Sequence, residues 1–315
     1  MSSSLMKFLF AGVIFALAGG PSAQLAAAPI QFPPELGLTP PAVQAQEVDI
    51  ALVLAVDVSG SIDYQEAELQ RKGIVDAFLS KEVIQAIQAG SLGRIGVSVV
   101  YFSSADYGVM SVPVNWMVVQ DQNSATVFVK ALVAARRPSA RGTSIADALT
   151  LSARMIETGP YHAARHVIDV SGDGANNAGR AVREVRDEVL AKGIVINALP
   201  IMDDTTMQDL DKYFEGCVIG GPASFVIPAK GFVDFARAMR RKLVLEISGL
   251  TPKEAPPSNS LIIRVAAANP PQQGARPRPN FPARPVPTNP PYPGGCDFPM
   301  FGGGFGNFGG GFGFR

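Results

Sequence analysis

Histidine and cysteine are scarce in this chain, with two of each among 315 residues. Cys217 and Cys296 are too few for a disulfide scaffold or a Cys-rich zinc site. His162 and His166 leave few routes to His-based metal or triad chemistry. Neither sign of charge is in excess, since 27 Lys and Arg face 27 Asp and Glu, so no whole-chain field draws the protein to nucleic acid. No apolar run reaches the length of about 20 residues that a membrane-spanning helix requires. The hydrophobic fraction of 47% is enough for a packed core and excludes disorder throughout. Such a length accommodates one large domain with extensions, or two small domains.

The composition changes along the chain. Lys7 precedes an uncharged apolar run, Phe8 to Ala18, broken by Gly19-Gly20-Pro21. This pattern predicts an export signal over 1–23, with Val43-Gln44-Ala45 as a later cleavage candidate; an uncleaved anchor and a buried helix are the alternatives. Residues 24–45, with Pro29, Pro33, Pro34, Pro40 and Pro41, read as an extended leader. From 46 to 250, short β-branched runs alternate with amphipathic segments. Strands are predicted at 48–56, 95–102, 112–118, 166–171 and 194–200. Helices are predicted at 64–80, 125–135, 145–157, 180–192 and 232–245. That alternation implies an α/β domain, doubly wound around a mainly parallel sheet with helices on both faces. Residues 251–299 hold 14 Pro, and 300–315 hold eight Gly and five Phe. This tail is predicted to be a solvated, disordered extension whose phenylalanines either meet a partner or stay idle.

Chemistry-bearing residues gather at predicted strand ends. The first strand closes on Asp57-Val58-Ser59-Gly60-Ser61. Hydroxyls and a carboxylate at alternate positions of a tight loop suit a hard cation, which takes about six oxygens. The competing assignment makes Ser59 or Ser61 the N-cap of the next helix, with Asp57 near its dipole. Two further loops favour the cation: Arg141-Gly142-Thr143-Ser144, and Ser171-Gly172-Asp173-Gly174-Ala175-Asn176-Asn177 at a later strand end.

Asp-x-Ser-x-Ser, then Thr, then Ser-Gly-Asp-Gly, in that order, resembles the metal-ion-dependent adhesion site of von Willebrand factor type A domains. The resemblance runs over 46–250, including Phe214 to Pro222 and Arg240-Arg241-Lys242-Leu243, which look like an exported bacterial branch of unestablished function. It implies that Ser59, Ser61 and Thr143 ligate Mg²⁺, with Asp57 and Asp173 acting through water; Mn²⁺ and Ca²⁺ are alternatives. It also implies a protein or peptide partner that supplies an Asp or Glu carboxylate, and no catalysis. The expected location is the periplasm, the cell envelope or the medium, with membrane contact only through an uncleaved signal or the tail.

Other functions compete. An envelope assembly module would use the metal only for stability and bind through its tail. The Gly172–Asn177 loop also resembles that of haloacid dehalogenase-like phosphatases, but Ser59 stands where their general-acid Asp belongs. A serine hydrolase would need His162 or His166 beside Ser59 or Ser61. Smaller features carry smaller expectations. Asp203-Asp204 read as solvated loop carboxylates, Trp116 as core, and Arg136-Arg137 as a solvated helix end able to attract an acidic partner. Cys217 and Cys296 form an internal pair, pair between molecules, or stay free.

Overall fold

The computed structural model describes residues 45–104, 109–202, 207–252 and 295–296. The export signal, the leader, Asp203-Asp204 and the tail apart from 251–252 and 295–296 lie outside the described residues. Six strands form one sheet: β1 (Gln46–Asp57), β2 (Ile95–Phe102), β3 (Met110–Val119), β4 (Tyr161–Gly172), β5 (Val195–Met202) and β6 (Ala229–Lys230), in the order β3-β2-β1-β4-β5-β6. All neighbours run parallel except β2 and β3. The doubly wound α/β architecture expected from the sequence is the one observed.

The unbroken apolar run of β1 follows from burial on both faces. Ile50, Leu52, Leu54 and Val56 enter one core, while Val53 and Ala55 enter the other. Helices α1 (Tyr64–Phe78), α2 (Lys81–Gln88), α3 (Gln122–Ala134) and α7 (Phe235–Ser248) cover the first face through residues such as Ile74, Ile87, Phe128 and Phe235. Helices α4 (Ile145–Glu157), α5 (Val182–Ala191) and α6 (Leu210–Tyr213), the last extended by a π-helical turn at Phe214–Val218, cover the second. Among the described residues, no helix is long and apolar enough to cross a membrane.

The helix predicted over 64–80 ends at Phe78, and a second helix not expected from the sequence, α2, follows it. Ser80 caps α2 by accepting from the Val83 N–H, so the chain restarts one residue before Lys81. Trp116 is half-buried at the edge strand β3, where its Nε1 donates to the Met155 carbonyl at 3.3 Å. Cys296 departs furthest from expectation for the tail. It is buried in the second core and disulfide-bonded to Cys217, with Cα atoms 5.5 Å apart.

One charged cluster lies wholly inside the domain. Lys242 Nζ of α7 sits 2.6 Å from Asp169 Oδ2 of β4 and 3.1 Å from Glu246 Oε2. Asn197 of β5 donates to Glu246 Oε1 and accepts from the Phe225 N–H, so the cluster ties α7 to two central strands. One ammonium faces two carboxyls. Burial pushes the Asp169 carboxyl up to about 7, with Glu246 adding to the rise and Lys242 pulling the other way.

A carboxyl raised in the folded state binds its proton there more tightly than in the unfolded chain. Its contribution is therefore complete below about pH 4 and lost as pH rises through about 7. In EDTA, the urea midpoint is expected to fall between pH 5 and pH 8, and Asp169→Asn to flatten that slope. A midpoint that climbs over the interval would contradict the assignment.

Candidate metal centre

In an open parallel sheet, ligands gather beyond the carboxyl ends of the strands, at the point where strand order reverses. Here the reversal lies at β1, with β2 on one side and β4 on the other. Asp57 is the last residue of β1, and Asp173 follows the last residue of β4. The two carboxylates therefore flank the switch point.

The loop after β1 folds back on Asp57, whose Oδ1 accepts the Ser59 N–H at 2.7 Å. Ser59 Oγ and Ser61 Oγ lie 3.0 Å apart, and Ser61 Oγ donates to Asp173 Oδ1 at 3.0 Å. An oxygen chain thus runs from the β1 loop to the β4 loop. Neither serine caps a helix. Asp63 caps α1, accepting from the Glu66 N–H while Glu66 reaches back to the Asp63 N–H. The capping alternative for Ser59 and Ser61 is thereby removed.

Thr143 is delivered by a separate clamp. Its N–H donates to Asn177 Oδ1 at 2.7 Å, and its carbonyl accepts the Asn177 N–H at 2.9 Å. Gly142 precedes it at φ 80°, a left-handed conformation that suits glycine. Ser144 takes the N-cap of α4 by accepting from the Asp147 N–H, which leaves the Thr143 side chain out of the cap. Thr143 Oγ1 lies beside Gly174, 3.7 Å from where a Cβ there would stand. The structure thus brings Asp57, Ser59, Ser61, Thr143 and Asp173 to one sheet edge. All are buried except Ser61, which is exposed.

The electrostatics of this edge are unbalanced. Burial, with Asp173 adding, pushes the Asp57 carboxyl up to about 7; hydrogen bonds from Ser59 and the charge of Arg137 oppose the rise. Asp57 Oδ2 has no hydrogen-bond partner among the described residues. It is held against Gly172, where a Cβ would come within 2.9 Å of it. Two carboxylates in a desolvated pocket favour either a proton or a cation between them.

Several participants escaped the sequence. Asn176 Oδ1 accepts from the Ala146 N–H, and its own N–H donates to the Tyr213 hydroxyl at 3.1 Å, which in turn donates to the Cys296 carbonyl at 3.5 Å. Arg137 is not a solvated helix end. It is half-buried, and its charge bears on Asp57 and Asp173. His166 pairs in register with Ala51, six residues below the end of β1, or roughly 20 Å from Asp57 along the strand. Burial lowers its pKa, and it is remote from Ser59 and Ser61.

Among solved structures, the chain is similar to the pilus adhesin SpaC from Lactobacillus rhamnosus GG, at 15% identity and a TM-score of 0.49, covering 64% of this chain and 31% of the adhesin. It is similar to proximal thread matrix protein 1 from the mussel byssus, solved with a zinc-occupied MIDAS motif, at 17% identity and a TM-score of 0.47, covering 64% of this chain and 46% of that protein. An aerotolerance-related membrane protein from Bacteroides fragilis NCTC 9343 gives 18% identity and a TM-score of 0.37, covering 62% of this chain and 98% of that one. The chain thus spans less than half of the adhesin and of the mussel protein. No curated protein matches the sequence. One family model matches residues 47–251, the whole of the segment built around the site, and the chain belongs to that family, described as protein of unknown function DUF1194.

Proposed function

We propose that the chain is an exported binding module of the von Willebrand factor type A kind, taking an acidic group of a partner protein or peptide in a metal-dependent way. The observation that carries this reading is the convergence of three hydroxyls and two carboxylates, from three loops, at the switch point of the sheet. None of the three hydroxyls caps a helix. The donor set fits a hard divalent cation, because it is all oxygen and because the buried Asp57 Oδ2 has no other partner among the described residues. In this reading Ser59, Ser61 and Thr143 hold Mg²⁺, or Mn²⁺ or Ca²⁺, while Asp57 and Asp173 orient the ligated water. A bound cation would offer an open coordination position to a carboxylate. Because the nearest donors are neutral hydroxyls, the chain leaves that position more electrophilic than a cage of carboxylates would.

The site is read as one of binding without catalysis, a reading supported by what the loops hold. No histidine lies beside the serines, and Ser59 occupies the position where a phosphatase of the competing kind would need a general acid. Export is supported by the buried Cys217–Cys296 pair, since disulfides persist in oxidising compartments. The periplasm, the envelope and the medium all satisfy that condition.

The test is thermal unfolding of the full chain in saturating Mg²⁺ and in EDTA, beside an Asp57→Ala, Thr143→Ala double variant. A ligand at about 100 times its Kd adds roughly 2.7 kcal/mol to a protein that binds it only when folded. The parent is expected to gain that much and the double variant nothing. Equal midpoints for the parent in cation and in chelator would remove the metal from the proposal.

A further inference from the structure

Arg137 belongs to the segment between α3 and α4, a segment that lies directly on the candidate centre. Three residues after Arg137, Ala140 pairs with Ser59 in an isolated parallel bridge. The Arg137 side chain is half-buried, and its Nε and Nη2 atoms are shielded from solvent. Neither nitrogen has a hydrogen-bond partner among the described residues. These two N–H groups form the side-on fork of a guanidinium, which matches the two oxygens of a carboxylate. Leaving such donors buried and unsatisfied costs stability, and a ligand that satisfied them would recover that loss.

The groups whose charge bears on Arg137 include Asp57, Asp173, Tyr101, Arg71 and Glu68. Arg71 is already engaged in an ion pair with Glu68. Burial pushes the Arg137 guanidinium down, while Asp57 and Asp173 hold it up. A fixed positive charge beside a cation site has two consequences. It partly neutralises Asp57 and Asp173, which weakens their hold on a divalent ion. Once such an ion is present, the excess positive charge favours an anion at the same edge.

We propose that Arg137 couples the two binding events, opposing a divalent cation at the Asp57, Ser59, Ser61, Thr143 and Asp173 centre until a ligand carboxylate arrives, and engaging that carboxylate through its Nε–Nη2 fork. This rests on the metal-dependent reading above and specifies its ligand. The partner supplies a carboxylate that shares its oxygens between the cation and Arg137. Cation and ligand then tighten each other by the same factor, as reciprocity of binding requires.

The experiment is calorimetric titration of Mn²⁺ into the full chain, in sodium acetate and in sodium chloride of equal ionic strength. Parent, Arg137→Gln, Arg137→Lys and Asp57→Ala chains are compared, with circular dichroism showing that each is folded. In chloride, Arg137→Gln is expected to bind Mn²⁺ about tenfold more tightly than the parent, equivalent to about 1.4 kcal/mol. Acetate should tighten Mn²⁺ binding to the parent severalfold more than it tightens binding to Arg137→Gln, which keeps only the contact to the cation. Arg137→Lys keeps the charge but not the fork, so it should bind Mn²⁺ as weakly as the parent and respond less to acetate. Equal Mn²⁺ affinity and equal acetate response in parent and Arg137→Gln would overturn the role of Arg137 while leaving the metal site standing. Absence of Mn²⁺ binding in both, or undiminished binding in Asp57→Ala, would overturn the metal reading and this coupling with it.

Discussion

Replacing Lys242 by methionine is expected to cost about 3–5 kcal/mol, the range for removing one partner of a buried ion pair. The aliphatic part of the side chain is retained, so the loss reports the charge rather than a cavity. Lys242, Asp169 and Glu246 are all essentially inaccessible, and the ammonium contacts both carboxyls. Without it, two acids stay buried with no cation between them and only Asn197 as a neutral donor to Glu246. Burial already raises the Asp169 carboxyl, and without the ammonium nothing in the cluster opposes that rise. The loss should therefore shrink as pH falls from 8 to 5, because Asp169 binds its proton more tightly in the folded than in the unfolded chain. Adding Asp169→Asn to Lys242→Met is expected to recover part of the stability, a non-additivity that a double-mutant cycle in urea would measure. Additive losses from the two changes would mean that the residues do not act as a unit.

That cluster was barely legible in the sequence. Asp169 stands inside a short apolar strand, between Ile168 and Val170, where a carboxylate is unexpected; that was the available signal. Its partner is more than 70 residues away, and only the sheet and α7 bring the two together. The strands themselves were legible because β1, β2 and β5 are buried on both faces and show as β-branched runs. The π-helical turn at Phe214–Val218 was not, since Gly216, Cys217 and Val218 have weak helical preference and tertiary burial holds them. Strand β6 has two residues, too few for any period.

The candidate centre shows the same division. Asp57, Ser59 and Ser61 are spaced along one loop, so their convergence can be read locally. Asp173 joins them because β4 lies beside β1 at the switch point, and Thr143 because Asn177 clamps the loop between α3 and α4 to the loop after β4; neither pairing is written in local spacing. Arg137 could not be ranked above Arg136 or Arg141 by any local pattern. What distinguishes it is partial burial within the field of Asp57, a property of the packed chain.

Reducing the Cys217–Cys296 bond is expected to be about as damaging as losing Lys242, and to reach the candidate centre as well. The bond joins residues 79 apart in sequence, for which loop-closure entropy gives a stabilisation of roughly 4–5 kcal/mol. For a domain of this size, that corresponds to a fall in Tm on the order of 10 °C. Cys296→Ser should reproduce the effect of dithiothreitol on the parent, and dithiothreitol should then have no further effect on the variant. The second consequence follows from hydrogen bonds. The Tyr213 hydroxyl donates to the Cys296 carbonyl and accepts from the Asn176 N–H, while neighbouring Asn177 clamps Thr143. Freeing Cys296 removes one acceptor of the Tyr213 hydroxyl, so the 173–177 loop loses a support. Mn²⁺ affinity of the folded Cys296→Ser chain is therefore expected to fall severalfold, and Tyr213→Phe in the oxidised chain to reproduce that fall with little of the thermal loss. Unchanged affinity in both variants would confine the disulfide to a stabilising role in the second core. A matched fall in both would make the anchored cysteine part of what holds Thr143 and Asp173 in place.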